Sequence, residues 1–174
     1  MLESLDNPIW FALTTEHRFL TRSYGLARRY SPDVSPLAAL LHPTKDAFAD
    51  LQRLVSPGEH VALFTASPFD VPANWQVDRS RWIDQMICEA PLVPPPVAPL
   101  PLATTDVPEM LELTAATEPG PFLTQTIQMG NYFGISASDW LQWPASDYNP
   151  LGLPKSARCV LIPNFAAADM RATS

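Results

Sequence analysis

The residues able to do chemistry are few in this chain, and their spacing is uninformative on its own. Glu118-Pro119-Gly120-Pro121-Phe122 is the one stretch with an unusual local character. Two prolines flank a glycine, so the backbone must leave any helix sharply and hold a defined loop. Glu112 and Glu118 are the carboxylates within sequence reach of that loop. Either could take a proton as a general base, although a solvated helix surface is the simpler setting for both. His17 lies on an apolar stripe and reads as a packed histidine, with no partner at metal or triad spacing. Arg28-Arg29 could hold an anion but reads more simply as a solvated surface pair. Cys88 and Cys159 stand far apart without metal-ligand spacing. No Ser-His-Asp or Cys-His arrangement, metal cluster or Walker-type loop is visible.

The elements that would position the Pro-Gly-Pro loop run from Leu102 to Ile135. They read as a short strand, a capped helix, the loop, a second short helix and the start of a strand. Asp106 before Pro108, with Glu109 after it, marks a helix N-terminus: a capping carboxylate, then proline in the first turn where no N–H is needed. Val107, Met110, Leu111 and Leu113 supply an apolar stripe at roughly helical spacing.

Leu113, Thr114, Thr117, Pro119, Gly120, Pro121 and Phe122, followed by Gly130, Tyr132, Gly134 and Ile135, form an LTxxTxPGPF … GxYxGI pattern. In this the segment resembles the opening of a GNAT-superfamily N-acetyltransferase domain. The resemblance implies acetyl transfer from acetyl-CoA to a small-molecule or peptide amine. It also implies a mixed-sheet α/β fold, and makes Glu118 to Phe122 the candidate wall of the acceptor site. In intact relatives the cofactor pyrophosphate rests on an Arg/Gln-x-x-Gly-x-Gly/Ala turn at a helix N-terminus.

Ahead of that segment the chain reads as helix, strand, helix, strand, strand. A helix begins at Asp6 or Asn7 with Pro8 in its first turn, and Ile9, Trp10, Leu13, His17 and Leu20 share one face. Leu37 to Leu41 is a short buried strand. Thr44 to Val55 is a capped helix with Ala47, Phe48, Leu51, Leu54 and Val55 inward. His60 to Thr65 is the clearest strand, and Trp75 to Cys88 carries one or two more. The proline-rich run from 91 to 101 favours an extended spacer. The expected organisation is thus a small N-terminal α/β domain (1–90), a linker (91–101) and the start of an acetyltransferase domain (102–135).

Composition narrows the class. With 47% apolar and 17% charged residues over 174 positions, the chain can bury a core. A formal charge of −7 argues against nucleic acid or an anionic membrane as partner. No apolar run approaches the ~20 residues of a spanning helix, and the acidic start carries no secretory pattern. A reduced cytoplasmic protein without a metal site is the expectation.

After Ile135 the resemblance stops. Gly152 is the only glycine of the tail, and no glycine turn leads into a helix. Yet when each codon's third base is read with the first two of the next, Asp139 through Asp147 can encode LVAMAGER. In the same way, Ala157 through Arg171 can encode AVCTHPEFRGRGYA. The second string is a strand followed by the missing phosphate-binding turn. The sequence therefore reads as an incomplete acetyltransferase domain whose frame changes between Gly134 and Trp140. Residues 136–174 are expected to be a poorly ordered tail that binds no acetyl-CoA. The alternative is a non-catalytic α/β binding or scaffolding domain.

Overall fold

The computed structural model describes residues 3–88, 99–117, 120–134 and 159–173. Helix α1 (Glu3–Asp6) is a single turn. Helix α2 (Pro8–Thr14) begins at Asn7, whose Oδ1 accepts from the N–H of Trp10 at 3.3 Å. The helix is shorter than its apolar stripe suggests. Thr14 and Thr15 hydroxyls donate back to the carbonyls of Trp10 and Phe11, and such back-bonding competes with helix continuation. A 3-10 turn (Arg18–Leu20) then brings Leu20 to the same core by a different route.

Strands β1 (Thr21–Tyr24) and β2 (Ala27–Tyr30) form an antiparallel hairpin, followed by β3 (Leu37–Leu40). Gly25 turns the hairpin at φ +47, and a Cβ there would collide with the Asp50 carboxylate. That carboxylate accepts from the N–H of Leu26 at 2.8 Å, fastening the turn to the next helix. This helix, α3 (Lys45–Gln52), is capped by Thr44 and crosses to β4 (His60–Thr65), which runs parallel to β3. Strand β5 (Trp75–Cys88) is a single run of 14 residues.

The second stretch holds β6 (Leu100–Pro101), α4 (Val107–Thr117) and β7 (Phe133–Gly134), with 3-10 turns at Thr104–Asp106 and Thr126–Met129. β6 and β7 pair as a two-stranded ribbon. The order of elements follows the expected strand, capped helix, loop, short helix and strand. Of the linker run, residues 89–98 lie outside the described residues.

The tail adds to the sheet. Cys159–Ala172 forms a strand, β8, inserted antiparallel between β4 and β5 in a six-stranded sheet ordered β1-β2-β3-β4-β8-β5. Ala168, Met170 and Ala172 alternate into the core, as a period of two requires. The reason is local composition: the inward positions near the end of the strand, Ala168, Met170 and Ala172, are all apolar or small. Pro163 falls in the register irregularity opposite Ile83 to Gln85 and beyond the end of β4, where a missing N–H costs least. Residues 159–173 thus take part in the sheet, and residues 135–158 lie outside the described residues.

Two cores sandwich the sheet. Toward α3 lie Ala27, Ala38, Leu40, Phe48, Leu51, Val61, Leu63, Trp75 and the three β8 residues. Toward α2 lie Leu13, Leu20, Tyr30, Val34 and Ala39. Each fully buried Leu or Phe contributes about 1.5–3 kcal/mol, so the sheet and its two helices carry most of the stability.

Candidate functional site

The resemblance-derived loop is anchored, but it carries little chemistry. Gly120, at φ +148, leads through exposed Pro121 to half-buried Phe122. The Phe122 ring meets Tyr132 edge-on, with centroids 5.7 Å apart. Burial pushes the Tyr132 hydroxyl above its usual pKa. Beyond the loop, Thr126 accepts from the N–H of Leu123 at 2.8 Å and donates to the Val34 carbonyl at 2.6 Å. Gln125 N–H donates to the Asp33 carbonyl at 3.1 Å. These bonds tie the segment to the turn between β2 and β3. Glu118 and Pro119 lie outside the described residues, and Glu112 is exposed on α4. No base is placed against the loop among the described residues.

The other singled-out groups are structural. His17 Nδ1 and the Tyr30 hydroxyl share a hydrogen bond at 2.6 Å, in keeping with a packed histidine. Burial, with the nearby Tyr132 adding to it, pushes Tyr30 up to about 12. The arginine pair is corrected: Arg29 is only 1% exposed, not solvated. Its guanidinium donates to the Leu54 carbonyl at 3.0 Å and to Glu59 at 2.6 Å. Arg28 stacks over Trp10 at 4.9 Å from the ring centre. Neither is free to bind an anion. On the surface, Asp78 links His60 (3.1 Å) and Arg171 (3.5 Å), bridging β4, β8 and β5. No cluster of three metal-ligating side chains occurs among the described residues.

One opening does arise from the fold, and it was not read from the sequence. β3 and β4 pair only through Leu37–Ala62 and Ala38–Leu63, although the strands run on to Leu40 and Thr65. The parallel pair therefore separates toward its carboxyl ends, the usual place for a ligand in such sheets. A cavity of about 210 Å³ lies there, lined by Asn7, Leu40, Pro43, Phe64 and Thr65 among others. Asn7 bridges it, donating from Nδ2 to the Leu40 carbonyl at 2.8 Å. Strand pairing in three dimensions creates the opening, so no local motif announces it.

No protein-family model matches the chain, and no curated protein matches it in sequence. Among solved structures it is similar to a protein of Novosphingobium aromaticivorans DSM 12444 assigned to the GNAT acetyltransferases. The TM-score is 0.79 at 22% identity, over 98% of this chain and 99% of that one. The chain thus has the GNAT acetyltransferase fold, a mixed α/β architecture with a mostly antiparallel sheet.

That fold implies acetyl-CoA, and the residues at the opening do not fit it. The helix start beside the cavity is Leu41-His42-Pro43-Thr44, with no glycine and with a proline that has no N–H to offer. Thr44 N–H is spent on the His42 carbonyl at 2.8 Å, and the Thr44 hydroxyl takes the N–H of Ala47 at 3.3 Å. Asp46 adds negative charge in the first turn of α3, which would disfavour a phosphate group there. The cavity is also below the about 300–1,000 Å³ of a cofactor-sized site.

Proposed function

We propose that this chain derives from a GNAT N-acetyltransferase and does not itself catalyse acetyl transfer. In intact relatives the reaction would move an acetyl group from acetyl-CoA to a small-molecule or peptide amine. The observation that carries the reading is the tail: after Ile135 no glycine turn leads into a helix, where the resembled domain carries its phosphate-binding turn. The alternative codon phase supplies that turn. We read residues 1–90 as an accessory α/β domain, 91–101 as its spacer and 102–135 as the start of the catalytic domain, cut short by a frame change. Glu118 to Phe122 is the part of the acceptor wall that remains. A cytoplasmic setting fits the charge and composition. No described helix is long and apolar enough to cross a membrane.

A second reading is favoured by one observation, the insertion of β8 between β4 and β5. A strand so placed suits a segment native to the fold, and makes the molecule a non-catalytic α/β binding or scaffolding domain. Resequencing the coding DNA across Gly130 to Leu151, and assaying the product of each frame, separates the two. The first reading expects an independent read or a one-base correction to continue through RGRGYA and to yield a chain that acetylates amines. If no frame extends the domain, the first reading falls and the second stands.

A further inference from the structure

Where the β3–β4 ladder stops, it leaves a backbone donor and a backbone acceptor facing each other across the opening. Ala62 N–H donates to the Pro36 carbonyl at 3.0 Å, and the parallel register ends at Ala38–Leu63. In evenly spaced parallel pairing the next bond would run from Leu40 N–H to the Phe64 carbonyl, and that rung is not formed. β2 does not take the donor instead. Leu41 N–H goes to the Leu26 carbonyl at 3.0 Å, so alternation turns the Leu40 N–H and carbonyl toward β4. The Leu40 carbonyl is met by Asn7 Nδ2 at 2.8 Å. The Leu40 N–H and the Phe64 carbonyl remain, both on residues that line the cavity. Backbone groups away from water need such partners.

The strand ends are held apart by other bonds. Asn7, itself fixed by the Trp10 N–H, holds Leu40 from the α2 side. The Thr65 hydroxyl donates to the Ser67 carbonyl at 2.7 Å and bends the chain as it leaves β4. Leu40, Phe64, Pro43 and Pro68 give the cavity an apolar lining. Its volume of about 210 Å³ exceeds the about 150 Å³ that holds benzene, so a ligand of about ten non-hydrogen atoms fits. Asp6 is the one ionisable side chain of the lining, and it forms no ion pair among the described residues. Its carboxylate favours a cation there and disfavours an anion.

We propose that the β3–β4 opening binds a small apolar amide that bears an ammonium group. The amide carbonyl accepts from Leu40 N–H, and the amide N–H donates to the Phe64 carbonyl, which completes the rung the strands leave unmade. The apolar body lies among Phe64, Pro43 and Pro68, and the ammonium faces Asp6. Main-chain bonds of this kind supply affinity, while the surrounding side chains select the ligand. No acyl donor takes part, so the site is independent of whether the chain descends from an acetyltransferase.

The test titrates L-leucinamide into the isotope-labelled full chain and follows the backbone amides by NMR. The expected result is a saturable shift of the Leu40 resonance, with a dissociation constant of about a millimolar or tighter, and slower exchange of that N–H. Isoamylamine keeps the charge and the apolar body but lacks the amide, and should bind at least about tenfold more weakly. Ala66→Trp adds bulk at an exposed position of the lining and should abolish binding. Asp6→Asn should weaken leucinamide about two- to fivefold and leave the uncharged N-acetyl-leucinamide unchanged. The unliganded spectrum checks that each variant is folded. Saturation without movement at Leu40 would overturn the proposal. So would equal binding of leucinamide and isoamylamine, unchanged binding in Ala66→Trp, or no saturation up to tens of millimolar.

Discussion

The layer around α3 and the arm formed by residues 99–134 are built from similarly apolar sequence, yet they are held in different ways. Around α3, Ala47, Phe48 and Leu51 are all under 2% exposed, and strands from both ends of the chain close over them. Among the described residues of the arm, Val107 is the one fully buried apolar side chain, while Leu100, Leu113 and Phe133 are more than half exposed. The arm is tied down by the hydrogen bonds of Thr126 and Gln125 to the β2–β3 turn and by Met129, half-buried against the α2 core. The difference is one of burial. The sheet with its two helices is a finished packing unit, whereas the segment that resembles an acetyltransferase opening leaves apolar surface exposed.

Substitutions can break or sharpen this contrast. The largest effect is expected from Phe48→Ala, which empties the centre of the α3 layer between Phe69 and Trp75 and should cost about 3–5 kcal/mol in denaturant unfolding. Met170→Ala should cost about 2–5 kcal/mol, because Met170 is fully buried although it lies in the tail. A change near zero there would remove β8 from the core and weaken the contrast. Next comes Glu59→Ala, which strands the buried Arg29 guanidinium and should cost about 3 kcal/mol, the low end for breaking a buried pair because Glu59 is itself 24% exposed.

The same carboxylate sets a pH dependence. Partial burial opposes its ionisation, but hydrogen bonds from Arg29 and the Ser56 N–H, with the charge of Arg29, hold its pKa below the usual 4.5. A depressed folded-state value means the contribution is complete above the unfolded pKa and is lost as pH falls through the folded one. Acid titration of stability should therefore be flatter below about pH 4.5 in Glu59→Gln than in the parent. The smallest effect belongs to the arm: Leu113→Ala, 64% exposed, should change stability by less than about 0.5 kcal/mol.

Legibility followed the range of the interactions. β4 and the capped helix α3 were readable because a continuous apolar run, a Thr44 cap and helical spacing are local signals. The β1–β2 hairpin was not, since TRSY and ARRY show no alternation and Arg29 is buried only because Glu59, 30 positions away, neutralises it. His17 was an apolar-face residue in sequence but is hydrogen-bonded to Tyr30 in space. The β3–β4 opening depends on where two strands cease to pair, which no residue type encodes. The strand β8 was not read from the tail: missing glycines argue against a cofactor turn, yet they do not prevent an apolar run from entering a sheet.

The claim that the fold is present without its cofactor site is tested most directly by calorimetric titration of acetyl-CoA into the purified full chain. The account predicts no saturable heat up to millimolar ligand, alongside a cooperative unfolding transition that shows the chain to be folded. A micromolar dissociation constant would contradict it.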